Sequence, residues 1–249
     1  MKFSLERPVK IVMLGAGGTG GYAAPHIYRL VHTLPRPVSF LVADGDVVEE
    51  KNLVRQNFIR ADLGRNKAAV MAERYASAFG MEIAYLPEFI ENEDALAALT
   101  APDYSRKELA ILIGAVDNNR SRQMCHEAFM RAKELVYIDS GNGEHTGQVV
   151  CGIRRNGRTY YKPVGTKYPD VLAGTDKFPT ELSCAEAAVS APQSVVANVM
   201  AATAVLSYLY DILVLGDITV RSVTFSTKTI HMKPETVKRK GRPQKAKAA

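Results

Sequence analysis

Two hydrophobic periodicities alternate along the chain. Val9-Lys10-Ile11-Val12-Met13-Leu14 is an almost unbroken apolar run of strand length, and glycines follow it at once. Such a run, apolar at successive positions, predicts a strand buried on both faces of a parallel sheet. The residues from there to about 31 read as a helix. Val38-Ser39-Phe40-Leu41-Val42-Ala43 predicts a second strand, ending at Asp44, and a polar stretch over 45–65 precedes a helix over 67–79. Residues 82–86, 109–113 and 135–139 predict a third, fourth and fifth strand, with a helix over 121–133 before the fifth. Strands alternating with helices in this way define a doubly wound α/β domain with a mostly parallel sheet.

After the fifth strand the pattern changes. Gly147-Gln148-Val149-Val150-Cys151-Gly152-Ile153 predicts a strand with no helix before it, hence an antiparallel extension of the sheet. Residues 154–183 lack a period and are rich in Gly, Pro, Lys, Asp and Thr, so a flexible crossover is expected there. A long apolar helix and a last strand over 220–225 follow, and from Pro234 a low-complexity, disordered tail is expected. Residues 195–215 have the length of a membrane span, with Asp211 the only charge. Pro192, Gln193, Asn198 and Asp211 flank or punctuate the segment, and no second span accompanies it. A buried or interface helix of a soluble protein is the expected role, without membrane contact.

Composition sharpens this picture in three respects. The 249 residues are 47% hydrophobic, which excludes a disordered chain and suits one large α/β domain. The net charge of +6 is misleading as a whole: residues 228–249 hold eight Lys or Arg against Glu235, a local +7 that leaves −1 for residues 1–227. The body is therefore not a basic nucleic-acid-binding surface. Cys125, Cys151 and Cys184 are odd in number, widely spaced and free of any CxxC pair, arguing against a disulfide framework or a four-cysteine zinc site. With no apolar signal core in the first eight residues, a reducing cytoplasm is the expected compartment.

The candidate chemistry lies where strands end. Gly15-Ala16-Gly17-Gly18-Thr19-Gly20-Gly21 joins a strand to a helix, and glycines there let backbone N–H groups and a helix N-terminus approach phosphate oxygens. Asp44, closing the second strand, can accept hydrogen bonds from ribose hydroxyls. Asp44-Gly45-Asp46, Asn52-Leu53-Val54-Arg55-Gln56 and Gly64-Arg65-Asn66-Lys67 then supply more amides and cations than a hydride-transfer site needs. A triphosphate site has use for them, Arg55 as a fork and Lys67 as a point charge, although a solvated charged loop would explain Arg60 and Arg65 equally well. Asp117 and Asn118 follow the fourth strand, where a carboxylate can hold magnesium against phosphates or either side chain can cap a helix. Cys184 precedes the long helix, a context that can activate a thiol, whereas Cys125 and Cys151 fit small buried hydrophobes.

Taken in order, Gly15-x-Gly17-Gly18-x-Gly20, Asp44-x-Asp46-x-Val48, Asn52-Leu53-x-Arg55-Gln56, Lys67, Asp117-Asn118 and Gly147-Gln148 resemble the ThiF/MoeB/HesA family, relatives of ubiquitin-activating enzymes. The resemblance covers residues 9–225 and is most similar to the ThiF-like branch of the plasmid ParB-related, ThiF-related (PRTRC) cassette. It implies a Rossmann-like adenylating domain of the ubiquitin-activating type over residues 1–233 and a basic tail over 234–249. It also implies a homodimer, with the long helix in its interface, that activates the C-terminal carboxylate of a ubiquitin-like or sulfur-carrier protein with ATP and magnesium. The glycine loop would hold the phosphates, Asp44 the ribose and Asp117 the magnesium. Asn52, Arg55, Gln56 and Lys67 would surround the β- and γ-phosphates and the attacked α-phosphate, and Cys184 would take up the activated carrier as a thioester. The family's zinc-binding CxxC pairs are missing, so no zinc is expected, and Arg7 is a poor match for the arginine that family members donate to a partner's site. Lys238-Arg239-Lys240-Gly241-Arg242-Pro243 is similar to an AT-hook, which suggests weak nucleic-acid contact. A non-catalytic ATP-binding scaffold, an NAD-dependent oxidoreductase and a small-molecule or tRNA adenylating variant stay open at this point.

Overall fold

The computed structural model describes residues 1–181 and 193–237. Its frame is a nine-stranded sheet in the order β3-β2-β1-β4-β5-β6-β8-β9, with β7 paired to β6. The parallel half comprises β1 (Val9–Leu14), β2 (Val38–Ala43), β3 (Tyr85–Leu86), β4 (Leu109–Gly114) and β5 (Leu135–Asn142). The antiparallel half adds β6 (Thr146–Arg155), β7 (Arg158–Tyr161), β8 (Val220–Ser226) and β9 (His231–Thr236). Helices α1 (Gly18–His32), α2 (Lys67–Ala78), α3 (Glu93–Thr100) and α4 (Asn119–Arg131) wind around the parallel half. Two single-turn helices, α5 (Val164–Lys167) and α6 (Asp170–Ala173), precede the long α7 (Val195–Tyr210), which a π-helical turn at Asp211–Leu215 extends.

Both faces of the sheet are covered, which is why its strands read as continuous apolar runs. Ile11, Met13, Ile111 and Ile113 pack on one side with Ile27 and Tyr28 of α1 and Val205 and Leu209 of α7. Val12, Leu14, Ala110 and Leu112 pack on the other with Leu96 of α3 and Met124 and Phe129 of α4. The 21-residue apolar stretch Val195–Leu215 is long and apolar enough to cross a membrane by length and composition, yet half of its most apolar window is buried inside the fold.

Three expectations need correction. Residues 154–181 are not a featureless crossover: β6 runs on to Arg155 and turns through Asn156 and Gly157, both at positive φ, into β7, and α5 and α6 follow. An Asn-Gly pair is the preferred centre of a tight hairpin because both positions need left-handed backbone. The third strand shrinks to Tyr85–Leu86, since only those two residues pair with β2. Pro234, Glu235 and Thr236 belong to β9 and not to the tail, held in register against β8, where Lys167 ion-pairs with Glu235. The rest of the basic segment, from Lys238, and Cys184 lie outside the described residues.

Ile111 is central in β4 and fully buried, so truncation removes apolar contacts without relief by collapse at an edge. Ile111→Ala is expected to cost about 3 kcal/mol of unfolding free energy, read from urea denaturation.

Candidate active site

Strand order reverses between β1 and β4: from β1 the chain winds outward through β2 and β3, then returns to β4 and β5. The crevice beyond the carboxyl ends of strands at such a switch point is where open α/β sheets bind ligands. A cavity of about 290 Å³ lies there, lined by Gly15, Gly17, Gly18, Asp44, Asp46, Arg55, Gln56, Lys67, Asp117 and Asn118 among others.

The glycine loop forms the floor by close backbone approach. Gly15 has φ of +93°, and a Cβ there would overlap the Ala115 carbonyl beyond β4. A Cβ on Gly20 would overlap the Gly15 carbonyl, so Gly20 serves the crossing of loop and helix and does not itself line the cavity. Helix α1 begins without a side-chain cap and without an acid in its first turn. Its free N–H groups and dipole therefore face the cavity uncancelled.

Asp44 fixes the loop from the second strand. Its Oδ2 accepts from Ala16 N at 2.6 Å and its Oδ1 from Asp46 N at 2.9 Å. Burial pushes its carboxyl up to about 6, against the pull of Lys67 and the two backbone donors. Asn66 caps α2 through Ala69 N and donates from Nδ2 to the carbonyls of Asp44 and Asp46. Lys67, in the first turn of α2 and only 5% exposed, places Nζ 2.7 Å from Asp46 Oδ2.

Arg55 and Gln56 enter from the loop after β2. Arg55 Nη1 donates to Gln193 Oε1 at 2.9 Å. Gln56 is buried against Gly17, and its Oε1 has no hydrogen-bond partner among the described residues. Arg60 and Arg65 pair instead with the surface acids Glu50 and Glu73, which separates them from Arg55. Asn52 does not reach the cavity: its Oδ1 accepts from Glu49 N at 2.8 Å and closes its own loop, so its expected place beside the phosphates is not observed.

Asp117 is exposed at the cavity rim and makes no hydrogen bond or ion pair among the described residues. Asn118 both lines the cavity and caps α4, accepting from Ser121 N at 2.7 Å. No group of three or more His, Cys, Asp or Glu that could hold a metal occurs among the described residues. Asp117 at the rim is still a group of the kind that suits magnesium, which takes one or two carboxylates and completes its shell with phosphates and water.

Arg122 is a cavity residue that sequence reasoning passed over. Its Nη2 donates to Val116 O at 2.6 Å and Ser140 O at 3.2 Å, tying the ends of β4 and β5 together. Its Nε lies 3.5 Å from Oδ1 of the fully buried Asp139, whose other oxygen accepts from Tyr137 OH at 2.7 Å. Burial raises the Asp139 carboxyl above its usual range even with Arg122 beside it. The i+4 position after Asn118 on α4 was the available signal. Arg7 lies at the opposite end of the sheet, forked onto Glu134 at 2.8 and 3.0 Å.

The structure is a doubly wound α/β domain with a glycine-floored cavity at its switch point, lined by Asp44, Asp117, Arg55, Lys67 and Arg122 among others. The chain belongs to the ThiF family, whose model matches residues 5–247. Among curated proteins none matches it. It is similar in structure to PaaA, with a TM-score of 0.64 and 17% identity over 92% of this chain and 64% of that one. It is likewise similar to E. coli MccB with succinimide, at 0.63 and 16% over 91% and 63%, and to E. coli MccB with ATP, at 0.61 and 16% over 91% and 62%. The chain thus spans slightly less than two thirds of the length of these relatives.

Because Asp44 must be ionised to accept from Ala16, Asp46 and a ribose hydroxyl together, nucleoside affinity is expected to fall as pH drops below about 6. Adenosine, which has no titrating phosphate, is the probe; titration from pH 5 to 8 should show this loss in the wild type and a flatter profile in Asp44→Asn.

Proposed function

We propose that this protein is an adenylyltransferase that activates the C-terminal carboxylate of a ubiquitin-like or sulfur-carrier protein at the expense of ATP. The observation that carries the reading is the convergence of the glycine loop, Asp44, Arg55, Gln56, Lys67 and Asp117 on one cavity. Membership of the ThiF family supports it, as does the likeness to a MccB structure that contains ATP. A protein or peptide partner is supported by structures of MccB together with MccA.

The chemistry follows from the cavity's groups. The attacking carboxylate oxygen bonds to the α-phosphorus as the bond to the bridging oxygen breaks, giving an acyl adenylate and pyrophosphate. Backbone N–H groups of Gly17, Gly18 and Thr19, where α1 starts, hold the phosphates, and Asp44 holds the ribose. Arg55 and Lys67 stand where negative charge builds up as pyrophosphate leaves, and Gln56 offers an amide beside Gly17. Magnesium, when bound, would be held by Asp117 and would offset phosphate charge. Fixing the two reactants in line supplies much of the remaining acceleration.

Cys184 is the nucleophile we assign to a following thioester step, in which its thiolate displaces AMP from the adenylate. Burial pushes the Cys125 thiol up to about 12 and raises Cys151 further, so neither competes as a thiolate. Exposed Val196, Val199 and Tyr210 on α7 support a homodimer built through that helix. The segment from Lys238 would add weak, salt-sensitive contact to nucleic acid. Two buried free thiols, Cys125 and Cys151, accord with a cytoplasmic location, and the PRTRC branch is the family context we favour.

ATP–pyrophosphate exchange with a cognate carrier tests the proposal. Arg55→Ala and Asp117→Ala are each expected to lower exchange by about 10²-fold or more with the fold intact. Unchanged exchange in both would remove the assignment.

A further inference from the structure

Arg55 is held twice by the start of α7. Its guanidinium meets the Gln193 side-chain oxygen at 2.9 Å, and its carbonyl accepts from Asn198 Nδ2 at 3.0 Å. Asn198 is completely buried in a mostly apolar helix, a costly position unless its amide is used on both sides. It is used: Oδ1 accepts from Asn142 Nδ2 at 2.9 Å, and Asn142 Oδ1 accepts from Thr19 Oγ1 at 3.1 Å. The same amide occupies the space beside Gly18, where a Cβ would come within 2.5 Å of Asn198 Nδ2. One side chain thus touches the glycine loop, the end of β5 and the backbone of Arg55.

From this geometry we infer that Gln193 and Asn198 are positioning residues that aim Arg55 at the phosphates, so that the start of α7 sets the anion site. The choice of amides is chemical. A neutral acceptor orients the guanidinium and leaves its full charge for an anion, whereas a carboxylate in the same place would cancel much of it. The bond from Asn198 fixes the main chain of Arg55 relative to Gly18, and the bond from Gln193 fixes the direction of its head group.

The inference rests on Arg55 being a phosphate ligand, so its test separates the two ideas. Calorimetric titration with Mg-ATP and with adenosine is made on the full chain for wild type, Gln193→Ala, Gln193→Glu, Arg55→Ala and the Gln193→Ala/Arg55→Ala double variant. Gln193 is half-buried at a helix start, so its variants are expected to fold where Asn198→Leu could fail. The expected result is a loss of ATP affinity of about fivefold for Gln193→Ala and more for the isosteric Gln193→Glu, with adenosine affinity unchanged. In the Arg55→Ala background, Gln193→Ala should have no further effect. Wild-type ATP affinity in both Gln193 variants while Arg55→Ala weakens it would overturn the holder and leave Arg55 as a ligand. Equal losses for ATP and adenosine would overturn it in favour of a merely structural Gln193. Arg55→Ala without effect on ATP would remove the phosphate assignment itself, and the inference with it.

Discussion

The site depends on two stretches of backbone meeting with nothing between them. The loop after β1 passes against the loop after β4 at Gly15 and Ala115, and α1 passes over its own entry at Gly20 and Gly15. A single methyl group at either glycine would occupy the position of a carbonyl oxygen. This crossing brings the uncapped N-terminus of α1 to the edge of the sheet, beside the ends of β2 and β4. Every other group at the cavity is placed relative to that crossing: Asp44 by bonding Ala16, Gln56 by packing on Gly17, Asn198 by filling the space beside Gly18.

Three basic side chains reach the cavity although residues 1–227 carry a net −1. Lys67 is anchored by Asp46 at the inner end of the cavity, Arg55 is held by an amide across it, and Arg122 lies under the β4 and β5 ends with Asp139 behind. Acids also line the cavity, Asp46, Asp117, Glu88 and Glu91 among them, and Asp44 is the buried one, kept in place by two backbone donors. Burial raises its carboxyl, and Lys67 and the two backbone donors pull against that rise. Asp117 stands exposed at the rim, without a hydrogen bond or ion pair among the described residues.

The parallel half of the fold was legible because burial on both faces leaves few polar positions to break the runs at β1, β4 and the first half of β5. The glycine loop, Asp44, Arg55, Gln56, Lys67 and Asp117 were legible as residue types at strand ends, and the structure gathers them around one cavity. Asn52 closes its own loop through a partner three residues away, and a local loop closure and a phosphate contact look alike in sequence. The β6–β7 hairpin carried its Asn156-Gly157 signal inside a stretch whose composition suggested only a crossover. Gln193 and Asn198 gave no comparable signal, since their bonds to Arg55 span 138 and 143 residues of sequence. Strand β9, exposed along its whole length, owes its order to pairing with β8 and has no hydrophobic pattern to announce it.

Thermal unfolding with Mg-ATP, magnesium-free ATP, NAD and no ligand tests the central claim most directly, because a ligand that binds only the folded state raises Tm by mass action. At a hundredfold excess over Kd the stabilisation is about 2.7 kcal/mol, well within reach of the method. The account predicts a magnesium-dependent rise with ATP and none with NAD. A rise with NAD alone would contradict it, and would make the cations around the cavity ordinary features of a different dinucleotide site.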